Sequence, residues 1–158
     1  MLTNKEILLL SNLREDGRQS ITNLSRKTKI PISTIYDKLK MYERDQVIKK
    51  YTPILDFTVL GYAVRITLLV RVAADQKIRA KEFFQKHKAV NTCYRVHTAY
   101  DFLVEALFKS LEEVQQFLDA TDACMAVSAK EVYYLLEECK KEDFLAEPKY
   151  LEIAEVRL

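Results

Sequence analysis

Glycine is almost missing from this chain: its 158 residues hold two, Gly17 and Gly61. A loop that cradles phosphate brings several backbone N–H groups close to its ligand and needs glycines in quick succession, so nucleotide-binding loops of that kind are excluded. Tryptophan is absent, and the two histidines, His87 and His97, stand apart, so no HExxH helix is present. No GxSxG turn occurs either. The three cysteines, Cys93, Cys124 and Cys139, are odd in number and form no CxxC pair. A zinc site or disulfide framework is therefore not expected, and buried free thiols in a reducing compartment are. No apolar run approaches the roughly 18 residues of a membrane span, and MLTNKEILLL is too short in its apolar part for a signal peptide. The expectation is a soluble, cytoplasmic protein with no membrane partner, no cofactor and no metal.

Apolar residues make up 49% of the chain, enough for a sizeable core in one domain or two. Charge divides it in two. Residues 1–60 carry eleven Lys and Arg against seven Asp and Glu, a net of +4, whereas residues 61–158 carry fourteen against sixteen, a net of −2. A basic front half suits an anionic partner.

Within that front half, GRQSITNLSRKTKIPISTIYDKLKMYERDQVI reads as two helices in quick succession, near Ile21–Thr28 and Ile32–Asp45, separated by Lys29-Ile30-Pro31. This is helix-turn-helix spacing. Ile35, Leu39 and Tyr42 fall on one stripe of the second helix, leaving Ser33, Thr34, Tyr36, Asp37 and Lys40 outward. Before the pair, Thr3 and Glu6 have capping-box spacing, and Ile7, Leu10 and Leu13 make the stripe of a helix over roughly 4–15, ended by Asp16-Gly17. The expected shared core is Ile7, Leu10, Leu13, Ile21, Leu24, Ile30, Ile35, Leu39 and Tyr42. After the third helix, residues 47–51 and 54–57 read as two short strands bent at Thr52-Pro53, a wing with Lys49 and Lys50 at its edge.

Gly61 marks the change from basic to acidic and places a hinge just before it. Tyr62–Ala73 alternates as a strand, with Val64, Ile66, Leu68, Val70 and Val72 on one face and Arg65, Thr67, Leu69 and Arg71 on the other. Asp75 is expected to cap a helix to about Lys88, burying Ala80, Phe83, Phe84 and His87. Strands over Val90–His97 and Phe102–Phe108 flank the tight connection Thr98-Ala99-Tyr100-Asp101. Ser110 and Glu113 form a second capping box before the stripe Leu111, Val114, Phe117 and Leu118, and Lys130–Leu136 is the last strand. Tyr133-Tyr134 and Phe83-Phe84 read as core. The order βαββαβ predicts a ferredoxin-like domain. The expected partition of this α+β chain is a winged helix-turn-helix domain over 1–57, a linker over 58–60, a ferredoxin-like domain over 61–137 and a C-terminal extension over 138–158, with weak strand alternation from Lys149 to Val156.

Catalytic signals are sparse. Glu112-Glu113 and Glu137-Glu138 are adjacent pairs whose side chains diverge on any regular element, and His97 beside a tight turn reads as a hydrogen-bonded turn residue. The run from Ile7 to Gly61, with Asp16-Gly17-Arg18, Glu43 followed by Val47-Ile48, and later Tyr100-Asp101-Phe102-Leu103, resembles the leucine-responsive regulator/AsnC (Lrp/AsnC) family of bacteria and archaea. The resemblance extends over roughly residues 3–136. It implies a transcription regulator, not an enzyme, that dimerises through its sheets and assembles further into a tetramer or octamer.

On that resemblance, the third helix is expected to read a pseudo-palindromic operator in double-stranded DNA through Ser33, Thr34, Tyr36 and Lys40, while Arg26, Lys27, Lys49 and Lys50 hold phosphate. The homodimer is expected on the sheet face of Arg65, Thr67, Leu69 and Arg71. Family members seat an amino-acid effector against the connection between the second and third back-domain strands, at a glycine that matches Thr98 here. Thr98, Tyr100 and Asp101 are thus expected to line a reshaped effector pocket or a dimer-to-dimer contact, with ordinary amino acids held weakly. Two further departures are Pro31 for the family's usual Ser and Gln46 for its usual Gly. Sirohaem decarboxylases are similar in architecture, but the absence of Trp and of their dense His and Arg motif argues against that reading, and an interaction module forming mixed oligomers is the other alternative.

Overall fold

The computed structural model describes residues 2–97 and 99–147. They fall into two compact units, one formed by residues up to Ile54 together with those from Cys139 on, the other by Leu55–Glu138.

Three helices build the first unit: α1 (Asn4–Glu15), α2 (Ile21–Thr28) and α3 (Ile32–Arg44). Thr3 caps α1 through the expected reciprocal box, its N–H donating to Glu6 Oε2 at 2.7 Å while its hydroxyl accepts from the Glu6 N–H at 3.4 Å. Ser20 caps α2 by accepting from the Asn23 N–H. Leu9, Leu24, Ile30, Ile35 and Tyr42 form the buried heart, and Leu10, Leu13, Ile21 and Leu39 pack around it half-buried. Leu9, outside the expected stripe of α1, is fully buried, because Glu6, Leu9 and Asn12 lie deepest on the inward side of α1, with Leu10 and Leu13 half-buried beside them.

Glu6 was expected only as a cap, yet its carboxylate is nearly buried. Oε1 accepts from Lys38 Nζ at 2.6 Å and from the Tyr42 hydroxyl at 3.1 Å, tying α1 to α3. The Lys38 ammonium, with help from Thr3, holds this carboxyl at about 2 despite the opposing effect of burial. Burial, reinforced by the Glu6 acceptor, pushes the Tyr42 phenol up to about 12.

Helix termination departs from expectation at one end and follows it at the other. Gly17 does not adopt a left-handed conformation; α1 stops at Asp16 in extended backbone, whose side chain accepts from the Arg18 N–H. After α3, Gln46 takes φ +57°, the left-handed position for which glycine is suited, and the Ile48 N–H returns to the Tyr42 carbonyl. The two strands expected over residues 47–57 are not formed. That segment is mostly exposed and finds no ladder partner among the described residues, and Tyr51 instead hydrogen-bonds back to Glu43 on α3.

In the second unit a four-stranded antiparallel sheet runs in the order β2-β3-β1-β4, with β1 Val64–Val72, β2 Val90–Arg95, β3 Phe102–Phe108 and β4 Val127–Tyr134. Helices α4 (Lys77–Lys86) and α5 (Leu111–Cys124) complete the βαββαβ order. Ile66, Leu68 and Val70 are fully buried on the inner face, as are Phe102, Val104 and Ala106 beside them. Against them pack Phe84, Phe117 and Phe108, with Phe108 and Phe117 ring centroids 5.3 Å apart. A turn closed by Tyr62 N–H to Phe57 carbonyl precedes β1, and Gly61 makes it possible with φ +87°.

Several local expectations are corrected. Asp75 does not cap α4: a short 3₁₀ turn, Ala74–Gln76, intervenes, and Asp75 accepts from the Gln76 side chain. Glu113 reaches one residue beyond its cap, to the Lys109 N–H at 2.8 Å. Leu111, at the first position of α5, projects into solvent at 64% exposure. Tyr133 and Tyr134 are half exposed because they lie on the outer face and at the end of β4. Cys139 is exposed, whereas Cys93 and Cys124 are half-buried. No described helix is long and apolar enough to cross a membrane. The expected alternation over 149–156 lies outside the described residues.

Candidate nucleic-acid interface

Helix α3 presents the face its period predicts. Ile35 and Tyr42 are buried, and Ser33, Tyr36, Asp37 and Lys40 are exposed on the other side. Thr34 is half-buried at the flank, so it lies less openly than the other three expected readers. Tyr36 and Lys40, one turn apart, meet as a cation-π pair with Nζ 4.4 Å from the ring centroid. Tyr36 pushes the Lys40 ammonium above its ordinary value. Pro31 leaves the helix start without a side-chain cap, the first backbone bond running from Ile35 N–H to the Pro31 carbonyl.

Exposed cations share the unit that carries this face. Arg26 leans on Asn23 Oδ1 at 3.2 Å, Lys27 on Glu15 at 3.4 Å, and Lys49 and Lys50 stand exposed on the irregular segment after α3. Three exposed residues escaped the sequence reading. Lys29 takes φ +55° at the end of α2, a position revealed only by the left-handed turn before Ile30. Arg44 is held by Asp45 at 2.8 Å. Ile32, at 51% exposure, opens α3, and a helical wheel would have found it beside Tyr36.

The remaining expected residues lie on the second unit. Arg65, Thr67 and Leu69 are half-buried and Arg71 exposed on the outer face of β1, where Arg65 pairs with Glu138. Glu131 on that face accepts from Tyr100 and Tyr133, and both hydroxyls hold its carboxyl below the ordinary range. Asp101 is engaged: Lys77 Nζ lies 2.6 Å from Oδ1 and the Val72 N–H donates to Oδ2 at 3.1 Å. Lys77 above all holds that carboxyl low. Asp101 and Tyr100 line a cavity of about 320 Å³ together with Arg71, Lys77, Arg95 and His97. His97 is exposed there and makes no hydrogen bond among the described residues. Thr98 lies outside the described residues. No three His, Cys, Asp or Glu side chains among the described residues are grouped to hold a metal ion.

Residues 2–49 match the family model of a winged helix-turn-helix DNA-binding domain, and residues 65–144 match that of the Lrp/AsnC ligand binding domain. An HTH-type transcriptional regulator of Pyrococcus furiosus is 33% identical over 142 residues, spanning 89% of this chain and 94% of its own. LrpC of Bacillus subtilis is 27% identical over 116 residues, 73% of this chain and 81% of that one. The solved structure of B. subtilis LrpC superposes with a TM-score of 0.80 at 24% identity, over 89% of this chain and 98% of that one. A Neisseria meningitidis transcriptional regulator solved with L-Met gives 0.82 at 22% identity, over 89% and 94%. At that identity the two structures speak for the fold.

Proposed function

Because the chain belongs to the Lrp/AsnC family of DNA-binding transcription regulators, we propose that it binds a pseudo-palindromic operator as a homodimer or a higher assembly of dimers, with α3 in the major groove. The observation that carries this reading is the exposed Ser33, Tyr36 and Lys40 face of α3, on a unit that also exposes Arg26, Lys27, Lys49 and Lys50. Two such helices on a two-fold axis meet half-sites about one helical turn apart, or a multiple of it. Selection from a random duplex pool supplies the operator. Lys49→Gln with Lys50→Gln then weakens every duplex alike and reduces the log-log salt slope by about 0.9 for each phosphate contact removed. Lys40→Ala instead relaxes discrimination between operators, a good base contact being worth about 1–3 kcal/mol. A lysine pair that alters sequence preference while leaving the salt slope unchanged overturns this division of roles.

The functional boundaries proposed on the same reading are residues 1–57 for DNA contact, 58–60 as linker, 61–137 for effector and self-association, and 138–158 as an extension, whose described residues from Cys139 on group with the first compact unit. For the dimer we favour the outer face of β1, since the inner face is already covered by α4 and α5. Leu69→Asp places a carboxylate in that contact and gives monomers by light scattering; an unchanged molar mass rejects the assignment. The L-Met complex of the Neisseria relative supports an amino-acid-like effector as a class. Here the Asp101 carboxylate is already satisfied by Lys77 and Val72, and three cations line the same cavity, which disfavours the ammonium group of an ordinary amino acid. Micromolar calorimetric binding of any common amino acid, abolished by Asp101→Ala, refutes this.

A further inference from the structure

An exposed isoleucine stands at the first position of α3, outside the core of its unit. Ile32 belongs to neither the buried heart of the first unit nor the half-buried ring around it. Isoleucine is a middling helix former, and the start of a helix favours small polar residues. Yet Ile32 stands at 51% exposure one turn before Tyr36, itself at 49%, and two turns before Lys40. The three follow nearly one line along the helix, Ile32 and Tyr36 about 6 Å apart along its axis. This line is an apolar ridge that ends in a cation, and Arg26, Lys27 and Lys29 are exposed on α2 and its end.

A solvated apolar ridge that ends in a cation, on a unit with further exposed cations, fits a surface that is negatively charged at its edges and offers apolar groups within. The major groove does so: phosphates line it, and thymine C5-methyls are its apolar groups. The N-terminal residues of a recognition helix are the ones that meet base edges. We propose that Ile32 is a specificity-determining residue that packs its branched side chain on a thymine methyl in each half-site, with the Tyr36 ring extending the contact along the groove. The proposal rests on the reading of α3 as the recognition helix. It names the base and the atom: a methyl group, read by shape and desolvation rather than by hydrogen bonding.

Deoxyuridine lacks only that methyl, so it isolates the contact. Full-length protein is titrated against its selected operator and against duplexes in which each thymine in turn is replaced by deoxyuridine. Burying one methyl is worth about a fourfold change in affinity, so one position per half-site weakens by about that factor. In Ile32→Ala the difference between thymine and uracil at that position disappears, while Ile32→Val retains most of it. An unfolding midpoint for Ile32→Ala equal to that of the natural chain shows that the fold is untouched. The proposal is overturned if no uracil substitution weakens binding, or if Ile32→Ala keeps the full difference. Site-selective binding without any thymine-methyl effect sinks this inference alone, whereas failure to select any duplex sinks the reading of α3 with it.

Discussion

Behind the sheet, the second unit is largely apolar: Phe84, Phe102, Phe108 and Phe117 pack ring against ring with aliphatic side chains of β1 and β3, and among the described residues the one buried polar side chain is Thr121, whose hydroxyl donates to the Phe117 carbonyl. Inside the three helices of the first unit, five apolar residues share the interior with Glu6, Ser11, Asn12 and Thr28. A unit of that size has too little apolar surface to define its packing by burial alone, and a hydrogen-bonded carboxylate between α1 and α3 supplies direction as well as attraction. The lesson is a division of sensitivities. The sheet unit responds to lost volume, and the helical unit responds to protons and to single polar contacts.

The largest effect expected is on the apolar side. Phe84→Ala removes a ring that is fully buried and touched by three others, and should destabilise the second unit by about 3–5 kcal/mol in denaturant unfolding. A loss below about 1 kcal/mol would mean that the rings repack freely.

Acid should divide the two units next. The folded pKa of Glu6, about 2, lies below the ordinary 4.5, so its contribution is fully present above 4.5 and is lost as pH falls from there toward 2. Tyr42 works in the opposite sense: its raised value means that stability holds below 10 and falls as pH climbs from 10 to about 12. Far-UV melting of the natural chain and of Glu6→Gln, compared across pH 2–6, should show a difference that is largest above 4.5 and shrinks toward 2. A pH-independent difference would show that Glu6 acts by shape alone.

Smaller effects sharpen the same contrast. The Ser11 hydroxyl is fully buried without a partner among the described residues, so Ser11→Ala should stabilise the first unit by about 1 kcal/mol. A loss instead would reveal a hydrogen bond that the hydroxyl makes in solution. Gln46→Gly should gain roughly 0.5 kcal/mol, the relief of a left-handed Cβ, about 1–2 kcal/mol, being offset by the added freedom of glycine in the unfolded chain. Equal or lower stability would mean that the Gln46 side-chain bond to the Glu43 carbonyl outweighs the strain.

Element order and most element boundaries were legible because period, caps and turns are local signals: Thr3 with Glu6, Ser20, and the alternation of β1 all act within a few residues. What escaped was non-local. Glu6 as the partner of Lys38 and Tyr42 depends on how α1 crosses α3, a relation that spacing along the chain does not encode. The wing strands failed for a related reason, since alternation shows that a segment fits a sheet without showing that a partner strand exists. At the expected sites, α3 exposes Ser33, Tyr36 and Lys40 as its period required, but the occupation of Asp101 by Lys77 emerges only when the 3₁₀ turn before α4 is seen.

The backbone passes between the two units twice, near Ile54 and again near Glu138, and the returning segment gives Arg14 a carbonyl and a carboxylate from Glu142. The DNA-binding unit is therefore not a continuous stretch of the gene. A fragment cut after residue 57 leaves part of that unit behind, and an exchange of reading heads between related regulators has to carry both junctions to bring a whole one across.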